Sequence, residues 1–143
     1  MSSVTIANLP RITRDELAQR LQSPSPTSSL AIIDVRDSDH IGGHIRSSTH
    51  VPSSSLDFKI PELIRTLRDK ETVVFHCALS QQRGPSAALR YIRERERILG
   101  EEGKGRGQKV VVLEGGFVKW QEKYGEDKNL TEAYQKDLWE YGY

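Results

Sequence analysis

Three short apolar runs, Leu30 to Ile33, Thr72 to Phe75 and Val110 to Leu113, punctuate an otherwise polar chain. Each is too short for a helix and polar on neither face, the pattern of strands covered on both sides in a parallel sheet. Between the runs the apolar period lengthens. Ile60, Leu63, Ile64 and Leu67 fall at i, i+3, i+4 and i+7 and predict one face of a helix. Thr13-Arg14-Asp15-Glu16 has the form of a capping box and opens a helix through about Leu21, which Ser23-Pro24-Ser25-Pro26 ends in a solvent loop. A further helix is expected from about Pro85 to Leu99, with Arg93, Arg95 and Arg97 at its negative pole. Gly100 to Gln108 reads as a mobile glycine-rich loop. Leu130, Tyr134, Leu138 and Tyr141 predict a last amphipathic helix over about 130–141. Strands alternating with helices define an α/β domain.

Composition narrows the function. The 143 residues suit one domain, expected to span the chain from 1 to 143. With 21 basic and 20 acidic side chains the net charge is +1, so neither a nucleic-acid nor a membrane partner is expected. The basic run near Arg95 is interleaved with Glu94 and Glu96 and has no aromatic platform. A single cysteine forms no internal disulfide and points to a reducing compartment. Met1 to Pro10 lacks the layout of a signal peptide, and no apolar run approaches the ~20 residues of a membrane span. A cytoplasmic or nuclear setting is therefore expected.

That cysteine lies in Phe75-His76-Cys77-Ala78-Leu79-Ser80-Gln81-Gln82-Arg83-Gly84-Pro85, directly after an apolar run and ahead of a predicted helix. The N–H groups of residues 78 to 83 can curl into a nest for a tetrahedral oxyanion, with the helix N-terminus aimed at the same spot. Ala78, Leu79, Ser80, Gln81 and Gln82 would bind through their amides. Arg83 adds a planar fork for two anion oxygens. Cys77 at the bottom of such a nest would be favoured as a thiolate, which makes it the expected nucleophile, with Arg83 its catalytic partner.

The loop is accompanied by two further elements. Ile32-Ile33-Asp34-Val35-Arg36 followed by Gly42-Gly43-His44-Ile45 resembles the D-x-R … G-G-H-I element of the rhodanese superfamily. Leu113-Glu114-Gly115-Gly116-Phe117 with Trp120 resembles that superfamily's L-x-G-G-x-x-x-W element. His76 to Pro85 resembles the H-C-x5-R-G-P loop of the cell-division-cycle phosphatases that activate cyclin-dependent kinases, and of the small eukaryotic arsenate reductases related to them. The three elements occur in family order over about residues 11 to 121.

The resemblance implies a rhodanese-like three-layer α/β domain with a central, mostly parallel five-stranded sheet, including short strands around Ile12 and Thr49. It implies arsenate or a phosphorylated substrate. His76 would support the loop, and Asp34 and Arg36 would make structural bonds to neighbouring loops. No tightly bound cofactor or metal is expected: His40 and His44 are four apart, but in a Gly42-Gly43 turn without ligand company. Gly115 and Gly116 would permit a tight turn into a helix, with Trp120 in the core.

Two departures bear on the reaction. The cell-cycle phosphatases carry an acid inside the loop, whereas residues 78 to 82 here are Ala, Leu, Ser, Gln and Gln. Asp37, Asp39 and Glu114 are the remaining candidates to protonate a leaving group. Arsenate reduction, which expels only water or hydroxide, is less demanding and is favoured. An arsenic(V) reduction by a chain with one cysteine needs an outside thiol; glutathione is the expected reductant and glutaredoxin the expected partner. Sulfurtransferases of the superfamily close their loop one residue earlier, at the position of Gln82. Sulfur transfer, and a non-catalytic rhodanese-like interaction module, are the alternatives.

Overall fold

A computed structural model of the chain describes residues 4–23, 29–105 and 107–141, with 101–105 as backbone only. In chain order the elements are β1 (Arg11–Ile12), α1 (Arg14–Gln22), β2 (Leu30–Asp34), β3 (His44–Ile45), β4 (Ser48–His50), α2 (Leu56–Thr66), β5 (Thr72–His76), α3 (Arg83–Gly105), β6 (Lys109–Leu113), α4 (Gly116–Tyr124), β7 (Thr131–Glu132) and α5 (Lys136–Glu140). The three apolar runs form β2, β5 and β6 at the centre of a five-stranded sheet of order β1-β6-β5-β2-β4, parallel throughout. β3 and β7 make a separate antiparallel pair.

Successive side chains of a strand face opposite ways, and here both faces are covered. Ile33, Val73, Phe75, Val110 and Val112 pack against Leu56, Ile60, Leu63 and Ile64 of α2 and Ala87, Ala88 and Tyr91 of α3. Ile32, Val74, Val111 and Leu113 pack against Leu17 and Ala18 of α1 and Phe117 and Trp120 of α4. Each large side chain so buried contributes about 1.5–3 kcal/mol, which is what holds the three layers together. α1 opens as the sequence predicts: Glu16 N–H donates to Thr13 Oγ1 at 3.1 Å and Thr13 N–H to Glu16 Oε1 at 2.9 Å.

Some expectations are corrected. α1 ends at Gln22 with Ser23 as its cap; Pro24 to Pro26 lie outside the described residues. α3 starts at Arg83, two residues early. Gly100 breaks it (φ 58°, ψ −138°), but the backbone then turns helically again over 101–105 instead of looping. Gln108 is pinned, donating from Nε2 to the carbonyls of Leu67 and Lys70 and accepting from Tyr91. Arg95, expected with Arg93 and Arg97 at the helix's negative pole, is buried.

The helix over 130–141 is replaced by β7, a bend at Ala133 (φ 56°) and the short α5. Leu130 enters the core and Thr131 pairs with Ile45. Trp139 of α5, outside the predicted apolar face, packs on Phe117, while Tyr141 is exposed. Among the described residues no helix is long and apolar enough to cross a membrane.

From the carboxyl end of β2 the chain moves outward to β4; from that of β5 it returns through α3 to β6. The loops after β2 and β5 therefore part company at their shared edge, leaving the crevice where ligands settle in open parallel sheets. Asp37 to Asp39 line one side and Cys77 to Gln82 the other.

Candidate active site

Cys77 is the first residue beyond β5 and is 3% exposed. Ser80 turns the loop in a left-handed conformation (φ 56°), an energetically uphill choice for a residue with a side chain. That turn points its N–H at Cys77 Sγ (3.2 Å); Gly84 N–H, from the first turn of α3, reaches the same sulfur at 3.3 Å. Negative charge on the sulfur is thus met by two backbone donors.

The carbonyls of the loop are held from outside. Phe117 N–H and Val118 N–H, at the start of α4, donate to Cys77 O (3.0 Å) and Ala78 O (2.9 Å). His76 Nδ1–H also donates to Cys77 O at 3.0 Å, and Arg11 Nη1 donates to Ser80 O at 3.2 Å. In a planar trans peptide the N–H points away from the preceding C=O. Tying down the carbonyls of residues 77, 78 and 80 therefore turns the N–H groups of Ala78, Leu79 and Gln81 to the opposite side. Among the described residues no protein acceptor takes the N–H groups of Ala78, Leu79, Gln81, Gln82 or Arg83.

The fork of Arg83 is engaged by carboxylates. Nη1 lies 2.8 Å from Asp39 Oδ1 and Nη2 2.6 Å from Oδ2, with Asp37 Oδ2 at 3.4 Å from Nη1. The hydrogen bonds from Arg83 hold the Asp39 carboxyl down at about 2, and the same bonds to Asp39 in turn raise Arg83. Asp37 is also lowered, chiefly by the Ser53 hydroxyl, and accepts Ser54 N–H at 2.9 Å. Glu114 pairs with Arg11.

Asp34 and Arg36 lie behind the loop, fully buried. Arg36 grips both Asp34 oxygens (2.7–3.1 Å), donates to the carbonyls of Gly43 and Ile41, and stacks 4.3 Å above Phe117. The pair ties β2 to the 41–43 turn and to α4. Burial opposes the Asp34 charge, but His76 and Arg36 outweigh it and keep the carboxyl below its usual range. His76 is wholly buried, so desolvation pushes it down against the pull of Asp34, 3.8 Å from its Nε2. It acts on the Cys77 peptide rather than on the sulfur. His40 stacks between His50 (3.7 Å between ring centroids) and His44 (5.8 Å), with its Nε2 3.4 Å from Asp34.

The structure thus brings Cys77, residues 78–82, Arg83 and His76 to one crevice, with Asp34 and Arg36 as its floor. Gly115 and Gly116 make the tight turn expected of them, both at positive φ, and Trp120 is fully buried. Three features were not foreseen: the left-handed Ser80, the α4 amides on the loop carbonyls, and the occupation of Arg83 by Asp39. The second had a signal in the paired glycines before Phe117. The third had one in two carboxylates spaced two apart just beyond a strand end.

Fold and site together define an α/β domain with a lone cysteine at the head of a loop between strand and helix whose N–H groups face its sulfur or, among the described residues, have no protein acceptor. The rhodanese-like domain family matches residues 13–123, and the chain belongs to it. It is 37% identical to the CDC25-like phosphatase YCH1 of Saccharomyces cerevisiae over 97% of this chain and 99% of that one. It is 38% identical to arsenate reductase 2.2 of Oryza sativa subsp. japonica, over 77% of this chain and 80% of that one. The As–Sb reductase of Leishmania major has a solved structure that superposes with a TM-score of 0.71 at 33% identity, covering 85% of this chain and 82% of that chain. The single cysteine fits a thiol-based enzyme of the rhodanese superfamily.

Proposed function

We propose that this chain is a cysteine-dependent oxyanion enzyme that reduces arsenate with glutathione and hydrolyses activated phosphate esters at the same loop. The observation that carries the reading is the loop itself. Two amides meet the Cys77 sulfur, and five more N–H groups beside it, of which those of Ala78, Leu79 and Gln81 are turned to one side, have no protein acceptor. Cys77 attacks arsenic or phosphorus as thiolate, while the amides and Arg83 hold the equatorial oxygens and stabilise the charge that develops on them. Water leaves from arsenate; an alcohol or phenol leaves from a phosphate ester.

Arsenate is favoured because, among the described residues, no ready proton donor serves an ester oxygen. Asp37 and Asp39 are both paired with Arg83 and held in their ionised forms, and Glu114 faces Arg11. In the reductive half, a glutathione thiolate attacks the Cys77 sulfur. The sulfur–arsenic bond breaks with its electron pair on arsenic, which leaves as arsenite, and Cys77 is left in a mixed disulfide. A glutaredoxin removes the glutathionyl group and restores the thiol. Such a cycle requires a reducing compartment, consistent with cytoplasm or nucleus.

One purified sample assayed with arsenate plus glutathione, with an aryl phosphate, and with thiosulfate plus cyanide tests the reading. Arsenite should form only with glutathione and faster with glutaredoxin, and the aryl phosphate should be cleaved without glutathione when another reductant keeps Cys77 free. Thiocyanate as the main product, or no arsenite under any thiol, would overturn it.

A further inference from the structure

Arg83 is the side chain meant for an anion's oxygens, yet its fork is filled by a carboxylate of the same chain. Both guanidinium terminal nitrogens meet Asp39, at 2.8 and 2.6 Å, in the paired geometry that a phosphate or arsenate would also demand. The turn presenting Asp39 is fixed without help from Arg83. Asp37 N–H donates to Asp39 Oδ1 at 2.8 Å, His40 N–H donates to Asp37 O at 3.1 Å, and the Asp37 carboxylate is held by the Ser53 hydroxyl and Ser54 N–H. Asp39 is thus offered to Arg83 from a rigid platform across the crevice from the loop.

We propose that Asp39 is an internal competitor for the substrate anion, occupying the fork of Arg83 until an oxyanion exchanges with it. The proposal rests on the reading of the loop as an oxyanion site. The Nη1–Nη2 edge of the guanidinium cannot serve two pairs of oxygens at once, so an anion that takes that edge bidentately requires Asp39 to leave. A tethered carboxylate competes at an effective concentration in the millimolar range or above, which raises the anion concentration needed to fill the site. Tetrahedral oxyanions overcome this because the loop amides add donors that Asp39 does not reach.

Asp37 supplies the control. It carries the same charge at nearly the same place, but only one oxygen approaches Arg83, at 3.4 Å, and its other bonds go to the 53–54 turn. Inorganic phosphate affinity is read from the protection of Cys77 against alkylation, and KM from an aryl phosphate. In Asp39→Asn both should tighten about three- to fivefold, the upper end for a part-exposed ion pair. Asp37→Asn, whose amide can still accept Ser54 N–H and donate to Ser53 Oγ and so keeps the turn that presents Asp39, should change them by less than about twofold. Asp39→Ser, with melting curves for all variants, guards against a local folding defect. Equal tightening in both asparagine variants would reduce the effect to general charge, and weaker binding in Asp39→Asn would make Asp39 a positioning residue; either overturns the competitor. If phosphate protects Cys77 in no variant, the oxyanion reading itself falls, whereas protection without tightening removes the competitor alone.

Discussion

Gly116→Ala should disable the loop without touching it in sequence. Gly116 has φ 61°, and a Cβ there would lie 2.4 Å from Ala78 O and 2.6 Å from Cys77 O, where contacts below 3.0 Å essentially never occur. The obstructing atoms are backbone, so α4 and the loop must separate by at least ~0.6 Å. That movement strains the bonds from Phe117 N–H and Val118 N–H that hold the same two carbonyls. A left-handed alanine costs about 1–2 kcal/mol, and two weakened hydrogen bonds add roughly 0.5–1.5 kcal/mol each. The expected loss is ~2–5 kcal/mol, or roughly 6–17 °C in Tm for a chain of this size.

The effect on turnover should be larger than that loss suggests. Released carbonyls let the N–H groups of Ala78 and Leu79 rotate, and a misplacement approaching 1 Å costs ~100-fold in rate. Gly115→Ala is the comparator: it also has positive φ, but its Cβ would meet the Lys119 side chain and not the loop. It should lose stability with far less activity. Melting curves, arsenite formation and aryl phosphate hydrolysis, measured well below both melting points, separate the two. Near-wild-type turnover in Gly116→Ala, or parallel losses in both variants, would refute the claim that α4 orients the loop.

Cys77→Ser should abolish turnover yet still bind phosphate, since the amides remain; retained activity would remove the nucleophile assignment. Arg83→Lys should be nearly as severe because a point charge cannot reproduce the two-point grip, and wild-type rates would reduce the arginine to a helix-start residue. Phosphate ester hydrolysis should depend steeply on leaving-group pKa, with aryl esters cleaved and alkyl esters hardly at all; a flat dependence would reveal a working acid. For pH, burial lowers His76, and His40 for the same leading reason, below the ordinary 6.5. The unfolded chain takes up protons as pH falls through 6.5 while the folded one resists. Stability should therefore be full above that pH and be lost from there down to the folded values. Melting temperature should drop between pH 7 and 5.5, and His76→Asn should flatten the slope; an unchanged slope would contradict the assignment.

The buried strands and the cysteine loop were legible because both are local. A two-sided burial pattern and a strand–loop–helix run can be read from adjacent residues. What escaped notice depends on distance. Asp39 and Arg83 are separated by 44 positions, and only the parting of the loops after β2 and β5 brings them together. The failed helix at the carboxyl end shows the converse. Leu130, Tyr134, Leu138 and Tyr141 keep helical spacing by coincidence, because Leu130 answers to the core, the next residue Thr131 to a strand pairing with Ile45, and Trp139 to a ring contact with Phe117. Local periodicity carries no information about which of those partners wins. The floor made by Asp34 and Arg36 came from the resemblance, since nothing in two charged residues near a strand end says that both will be buried.

The oxyanion cradle proposed for this loop, made of peptide groups, separates two kinds of inheritance. Its donors are N–H groups aimed by carbonyl anchors at Phe117, Val118 and Arg11, so almost any residue can supply them. Leu79, Gln81 and Gln82 meanwhile project into solvent around the mouth of the crevice. Substitutions there redraw the surface seen by the remainder of a substrate while leaving the grip on its oxyanion intact. A loop of this construction can drift from one clientele to another through its side chains, with its chemistry kept in the backbone.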